Sequence, residues 1–493
     1  MSIRARYAPS PTGDLHLGSL RTVIFDWLLV HEEPDSSLIL RVEDTDQSRV
    51  VPGALERQLQ ALAWMGVSPT EGVCLDEQGN VVEIGSYGPY TQSKRLEIYK
   101  KYADELVAAG KAYRCFCTTE RLETMRAEQQ ANHLPPRYDR FCRSLTAEES
   151  AARAAAGESC VIRHAIPDNQ EVKFTDQVRG EVLFQSNELD DYVLMKSDGY
   201  PTYQLANVVD DHLMEITHVL RGEEWLPSLP KNVLLYEAFG WTPPKFAHLP
   251  VILGPDGKHK LSKRDGDVSV IDYDQKGYLP DALFNMLAMI GWSPGTEEEF
   301  FTRDSLAKRF SLERVQKAAA VFNFQRLDYV NGWYIRQMQI GEVAERILPY
   351  LVAANLPAQA GNYLLTVAAA IQERLKHFDE AEEVAWFFFK RPEPNETLRG
   401  LLIPKKTDWE ATQKHLRESM QVLQGLAEDQ WVPDILDENL RLHIAMNNYK
   451  NLEVLWPIRA ALTGVPASPG AFEMLSILGK EESLARLERA VSL

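Results

Sequence analysis

The chain has 493 residues, 45% hydrophobic and 25% charged, which fits two to four globular domains with ample buried core. No apolar run approaches the ~18 residues that a membrane-spanning helix needs, and five cysteines in 493 residues exclude a disulfide scaffold and point to a reducing cytoplasm. A formal net charge of −18 argues against a general nucleic-acid binder, whose phosphate contacts need Lys and Arg; a specific RNA partner met by a basic track on one face stays open.

Ile3, Ala5 and Tyr7 alternate with Arg4 and Arg6, the period of a short strand. Because that pattern begins at the third residue, no signal or transit peptide is expected. Pro9 and Pro11 stop the strand, and Gly13 supplies a tight loop. Leu20, Val23, Ile24, Trp27 and Leu28 then fall at helical spacing, with Ser19 as the expected N-cap. His16 and Gly18 would sit where a helix N-terminus presents free N–H groups to phosphate.

Leu38 to Val42 reads as a buried strand and runs into Glu43-Asp44-Thr45-Asp46, and Pro52-Gly53 opens a helix through Met65. A helix is expected over Arg95 to Ala109. From Tyr113 to Gly180 the pattern loosens: helical stretches Thr118 to Gln130 and Thr146 to Ala156 are broken by Pro135-Pro136 and by strand-like pieces such as Cys160 to Ile166. That stretch reads as an insertion between the halves of a sheet. Tyr192 to Met195 resumes strand character, Thr202 to Leu213 reads as a helix with Tyr203 and Asn207 on one face, and Ile216 to Arg221 is again strand-like. A helix from Pro230 to Ala238 precedes the turn Gly254-Pro255-Asp256-Gly257 and the basic run Lys260-Leu261-Ser262-Lys263-Arg264. The alternation predicts an α/β fold with a parallel sheet. Beyond Pro280 the period is helical to the end, broken at Arg391-Pro392-Glu393-Pro394-Asn395. There are no internal repeats and no low-complexity tract.

A lone H-x-G carries no weight as a signal. The whole block R-x-A-P-S-P-T-G-x-L-H-x-G-x-x-R-T resembles the signature of the glutamyl-tRNA synthetases, class I enzymes whose HIGH motif is represented here by His16-Leu17-Gly18-Ser19. Lys260-Leu261-Ser262-Lys263-Arg264 resembles the second class I signature, KMSKS, and its weight comes from its order after the first. Ser19 replaces the last His of HIGH, and Leu261 and Arg264 replace Met and Ser of KMSKS. The resemblance implies a Rossmann-like parallel-sheet catalytic domain with an inserted tRNA acceptor-end domain, followed by an all-α anticodon-binding region. Its expected boundaries are 1–110 and 187–245 for the catalytic halves, 111–186 for the insert, 246–325 for a stem-contact region with the KMSKS-like loop, and 326–392 and 393–493 for two helical domains.

The implied activity is ATP-dependent attachment of L-glutamate to tRNA(Glu), and possible use of tRNA(Gln), through a glutamyl-adenylate formed only with the tRNA bound. Arg6, Glu43 and Arg221 each fall at the carboxyl end of a strand, where open parallel sheets bind ligands. Two positive groups and one negative suit two carboxylates and one ammonium, as in glutamate. Arginine forks match carboxylates, whereas an amide offers a donor where an acceptor is wanted. The resemblance adds Ala8, Ser10, Tyr203 and Asn207 as amino-acid contacts. His16, Lys260 and Lys263 are the expected catalytic donors against ATP, with Gly18 and Trp225 bordering the nucleotide and Mg²⁺ assisting.

Cys115-Phe116-Cys117 and Cys142 form C-x-C-x24-C, the spacing with which some members of the family hold zinc. The fourth ligand there is commonly a His two residues on, where this chain has Ser144. Two readings stay open: a zinc site completed by His133 or Tyr138, and three thiols left over from a lost site. Arg374 is the anticodon contact implied, with Gln372 to Leu375, Asn323 to Arg336 and the tail from Pro457 to Val491 as further RNA-facing segments. A glutaminyl enzyme, a short relative that glutamylates an anticodon base, and an inactive RNA-binding relative are the rivals. Paired arginines and a helical C-terminal half disfavour the first, the length beyond Pro280 the second, and intact motifs the third. Nothing in the sequence marks an obligate interface, so a monomer without membrane contact is expected.

Overall fold

The computed structural model describes residues 2–493, which form two compact units: residues 2–273 with Leu283–Phe324, and Asp274–Ala282 with Gln325–Leu493. Among the described residues no helix is long and apolar enough to cross a membrane.

The first unit opens with β1 (Arg4–Tyr7), α1 (Leu17–His31), β2 (Ser37–Leu40), α2 (Ala54–Trp64), β3 (Glu71–Leu75), β4 (Val81–Ile84) and α3 (Leu96–Ala108). Next come β5 (Ala112–Cys115), α4 (Thr119–Ala131), α5 (Ala147–Ala155), β6 (Val161–His164), the hairpin β7 (Glu171–Asp176) and β8 (Gly180–Gln185), and β9 (Val193–Met195). α6 (Tyr203–Leu213), β10 (His218–Gly222), α7 (Leu229–Phe239) and β11 (Lys245–Leu249) follow. The main sheet has the order β4-β3-β2-β1-β10-β11-β7-β8. From β3 across to β7 its neighbours run parallel, and only the outer hairpins turn back. Ala5, Leu38, Ile39 and Leu40 are buried on this sheet and Leu20, Val23 and Ile24 on α1, so helix covers strand as a parallel sheet requires.

Two placements differ from the sequence reading. The hairpin β7–β8, assigned to the insertion, joins the main sheet, with Asp176 paired to Phe246 of β11. β9, assigned to the resumed catalytic sheet, pairs instead with β6 in a small antiparallel sheet of order β5-β6-β9. Both have strand character of the expected kind. What the sequence could not display is partner choice, because pairing is set by packing and register, not by local pattern. A chain boundary near 186 therefore cuts across both sheets.

The second unit is helical, as the period predicted, with helices such as Ile340–Ala353, Trp409–Gly425 and Ala471–Val491. In the first of these Val343, Ile347 and Leu351 are buried four residues apart, the inward stripe of a bundle helix. The Arg391–Asn395 segment does separate two helices, Ala381–Phe389 and Glu396–Leu402.

Candidate active site

β2, β1, β10 and β11 lie side by side in parallel, so their carboxyl ends open on one edge. A cleft of about 1040 Å³ lies at that edge. It is lined by Arg6, Ala8 and Ser10 from β1 and the loop after it, by His16 and Gly18, by Glu43, by Tyr203 at the start of α6, and by Arg221. Trp225, Lys260 and Lys263 line it too. Thus Arg6, His16, Glu43, Arg221 and Lys263 converge, although they are far apart in the chain. Asn207 stands just behind Glu43, one turn along α6 from Tyr203.

One side of the cleft is built around the start of α1. The helix begins at Leu17 with His16, not Ser19, as its N-cap; His16 has extended backbone and its Nδ1 accepts the Gly18 N–H at 3.1 Å. The reason lies far along the chain. Leu17 N donates to Val268 O at 3.0 Å and Val270 N to Leu15 O at 3.0 Å, a backbone pairing that fixes where the helix starts. The same pairing anchors the end of the Lys260–Arg264 loop beside His16. Within that loop Asp265 Oδ2 accepts from Ser262 N at 2.9 Å and from Ser262 Oγ at 3.0 Å. His259 bridges Asp256 and Asp265, at 2.8 Å to each. Lys260 Nζ donates to Glu224 Oε1 at 2.8 Å, while Lys263 is exposed. Burial, and then the charges of Lys260 and Lys263, hold the His16 imidazole below its usual range, so at neutral pH it is uncharged; with Nδ1 accepting the Gly18 N–H, the proton lies on Nε2.

The other side of the cleft rests on a buried charge network. Asp211 Oδ1 accepts from Arg41 Nη1 at 2.6 Å and from Arg6 Nε at 3.3 Å. Arg41 Nη2 donates to Glu43 Oε1 at 3.1 Å. With its amide oxygen turned to the arginines, Asn207 accepts from Arg6 Nη2 at 3.2 Å and Arg41 Nη2 at 3.0 Å. Burial pushes the Glu43 carboxyl up, against the pull of Arg41 and Arg6. Next to it, Asp210 accepts from Arg95 Nε at 2.7 Å, Tyr99 Oη at 2.8 Å and Gln92 Nε2 at 2.9 Å. Arg221 Nη1 donates to Tyr203 Oη at 2.7 Å, and Trp225 packs on Tyr203 with ring centroids 4.7 Å apart.

A family model for the catalytic domain of class I tRNA synthetases (E and Q) matches residues 2–329, and one for an anticodon binding domain matches residues 342–491. The chain belongs to the class I glutamate and glutamine tRNA synthetase family. Two curated members of that family, both named glutamate–tRNA ligase, come from Clostridioides difficile and Finegoldia magna. They are 44% and 40% identical to this chain, each over 99% of it and over 98% and 99% of their own lengths. A solved structure, the glutamate tRNA ligase of Elizabethkingia meningosepticum in complex with its amino acid, superposes with a TM-score of 0.89 at 34% identity. The match covers 100% of this chain and 99% of that one.

Within this family member, sequence reasoning missed Arg41, Asp210 and Asp211. Their signal was present: a charged residue inside the apolar run Leu38–Val42, and an acidic pair on a helix whose neighbours Leu205, Ala206, Val208 and Val209 are buried. Buried charges of this kind are retained only when paired. Asp211→Ala leaves two fully buried arginines short of a counter-ion, so unfolding stability should drop by about 3–5 kcal/mol. Denaturant titration checks this. Despite the upward push of burial, Arg41 and Arg6 hold Asp211 below its ordinary 3.8. Its contribution is therefore complete at neutral pH and lost only as pH falls below that value.

The cysteine trio sits beside the small sheet. Sγ atoms of Cys115, Cys117 and Cys142 lie within 4.8 Å of one another, with Cys117 and Cys142 at 3.6 Å. Tyr138 Oη completes the group: Cys115 Sγ donates to it at 3.3 Å, Cys117 Sγ lies at 3.4 Å, and Cys142 N donates to it at 3.0 Å. Burial pushes the Cys117 thiol up to about 11. His133 is exposed and outside the cluster, and Ser144 is also exposed, its hydroxyl donating to Phe141 O at 2.9 Å. In the second unit Arg374 is exposed and its Nη2 donates to Ser468 O at 2.9 Å.

Proposed function

We propose that this chain attaches L-glutamate to tRNA(Glu) in two steps. The α-carboxylate of glutamate attacks the α-phosphorus of ATP and expels pyrophosphate; a hydroxyl of the terminal adenosine then attacks the glutamyl carbonyl and expels AMP. The observation that carries the reading is the convergence of Arg6, Glu43 and Arg221 with His16 and Lys263 in one cleft, in a chain whose curated relatives are glutamate–tRNA ligases over their full length.

Arg6 and Arg221 take the two carboxylates and Glu43 the ammonium, with Tyr203 and Asn207 holding these groups in place. Ala8 and Ser10 border the amino acid. His16, Lys260 and Lys263 supply donors and charge where negative charge builds on the phosphoryl oxygens, so their effect falls mainly on the transition state. A Cβ at Gly18 would stand 3.5 Å from His16 Nδ1, an ordinary contact. The protein itself would accept a side chain there, and the glycine serves the nucleotide that lies against it, with Trp225 at its border. Mg²⁺ comes in on the nucleotide's phosphates, as suits an ion that keeps much of its water.

We assign the insert to the acceptor end, the 246–325 region to the stem, and the two helical domains to the anticodon, with Arg374 as one contact. A monomer is the proposed working unit, and five free thiols suit a reducing cytoplasm. Charging purified tRNA(Glu) and tRNA(Gln) separately with labelled glutamate tests the reading. Esterification of tRNA(Glu) supports it, and no product on tRNA(Glu) overturns it; product on tRNA(Gln) as well widens the substrate set.

The cysteine cluster fits zinc. Tetrahedral Zn–S bonds of ~2.3 Å place ligand sulfurs a little under 4 Å apart, as Cys117 and Cys142 are, and Tyr138 supplies the fourth donor that Ser144 cannot. Bound there, zinc would tie the strand end at Cys115 to the loop at Cys142. Metal analysis after chelator-free purification should find one zinc per chain, reduced to a small fraction in Cys142→Ser; sub-stoichiometric zinc in the unaltered protein rules the site out.

A further inference from the structure

The guanidinium of Arg221 is held from two directions. Nη1 donates to Tyr203 Oη at 2.7 Å, and Nε donates to His248 Nε2 at 3.0 Å. Nη2 is buried and meets no partner among the described residues, although Arg221 lines the cleft. His248 stands directly across from Arg221 on the neighbouring strand β11 and is 0% exposed.

Its role follows from where its proton sits. Nε2 accepts from a guanidinium that has only donors, so it carries no hydrogen. The proton lies on Nδ1, which points at Asp176 Oδ2 at 2.6 Å. Asp176 Oδ1 in turn accepts the backbone N–H groups of Val178 at 3.0 Å, Arg179 at 2.8 Å and His248 at 3.2 Å. Burial lowers the His248 imidazole, with Asp176 opposing and Arg221 adding to the fall. Against the upward push of burial, the bonds from His248 and the backbone keep Asp176 ionised. A fixed carboxylate selects one tautomer, and that tautomer offers its lone pair to the arginine.

We propose that His248, oriented by Asp176, is a positioning residue that sets the plane of the Arg221 guanidinium for a substrate carboxylate. This rests on the reading of Arg221 as a glutamate contact. A side chain with a free torsion offers its fork in many orientations; one pinned at Nε and Nη1 offers one, and bidentate geometry tolerates little error. The competing role is purely structural, a polar clamp joining β10, β11 and β7.

Steady-state exchange of pyrophosphate into ATP, with tRNA present, separates the two. His248→Asn keeps a donor near Nδ1 and removes the acceptor at Nε2. It should raise the glutamate KM about 10- to 100-fold, the worth of one hydrogen bond to a charged group, with ATP KM and kcat unchanged. His248→Gln places an amide oxygen near Nε2 and should recover most of that loss. Asp176→Asn, which sets an amide donor against Nδ1 and reverses the tautomer, should give the same selective rise by a separate route. Adding His248→Asn to Arg221→Ala should cost nothing further, because the histidine acts through the arginine. A wild-type glutamate KM in both His248→Asn and Asp176→Asn overturns the proposal, as does parallel loss of kcat and both KM values without rescue by Gln. If Arg221→Ala alone leaves the glutamate KM unchanged, the reading of Arg221 fails instead.

Discussion

Lys263→Ala should lower the rate of adenylate formation by about 10²–10³-fold, the cost of removing one preorganised donor from a site of charge development, while tRNA affinity stays near its original value. Lys263 is an exposed residue on the cleft wall, its charge reaches His16, and the loop that carries it is tied to the start of α1 by the Leu15–Leu17 and Val268–Val270 pairing. Truncating an exposed side chain on a loop closed by its own hydrogen bonds should leave the fold intact. Single-turnover adenylate formation alongside a tRNA-binding titration measures both quantities; an unchanged adenylate rate refutes the role given to Lys263.

Arg221→Ala should act on the amino acid and spare the nucleotide. Losing one partner of a desolvated ion pair costs about 2–5 kcal/mol, and since each 1.4 kcal/mol is tenfold, the glutamate KM should rise by at least roughly 30-fold. The ATP KM should barely move, because the Arg221 guanidinium is turned to Tyr203 and His248, bonded to both. A defect confined to ATP would mean that the arginine faces the wrong substrate in this account.

The parts of the site legible in the sequence were those carried by local pattern. A strand, a proline-bound loop and a helix in immediate succession placed His16 and Gly18 at a helix start, the family resemblance of the whole block gave that placement its weight, and strand ends placed Arg6 and Arg221. Elements that depend on long-range pairing were not legible. His16 caps α1 because Val268–Val270 holds Leu15–Leu17, a contact about 250 residues away in sequence; from local preference alone Ser19 was the better cap. β7 and β9 exchange sheets relative to expectation for the same reason. Arg41 and Asp211 hid because a charge within an apolar run has no assigned partner until the fold brings one, here from 170 residues away. Tyr138 and His133 were equal candidates on spacing, and only the turn at Arg140, which returns Cys142 to the Cys115 strand, sets the phenol among the thiols.

Under the proposed function, one cleft reads glutamate by charge and activates it with ATP. Pyrophosphate exchange into ATP with tRNA bound, run in parallel with glutamate and with glutamine, tests it most directly. The arrangement of Arg6, Glu43 and Arg221 predicts ready exchange with glutamate and almost none with glutamine at the same concentration. Exchange supported as well by glutamine, or absent with glutamate, would contradict it.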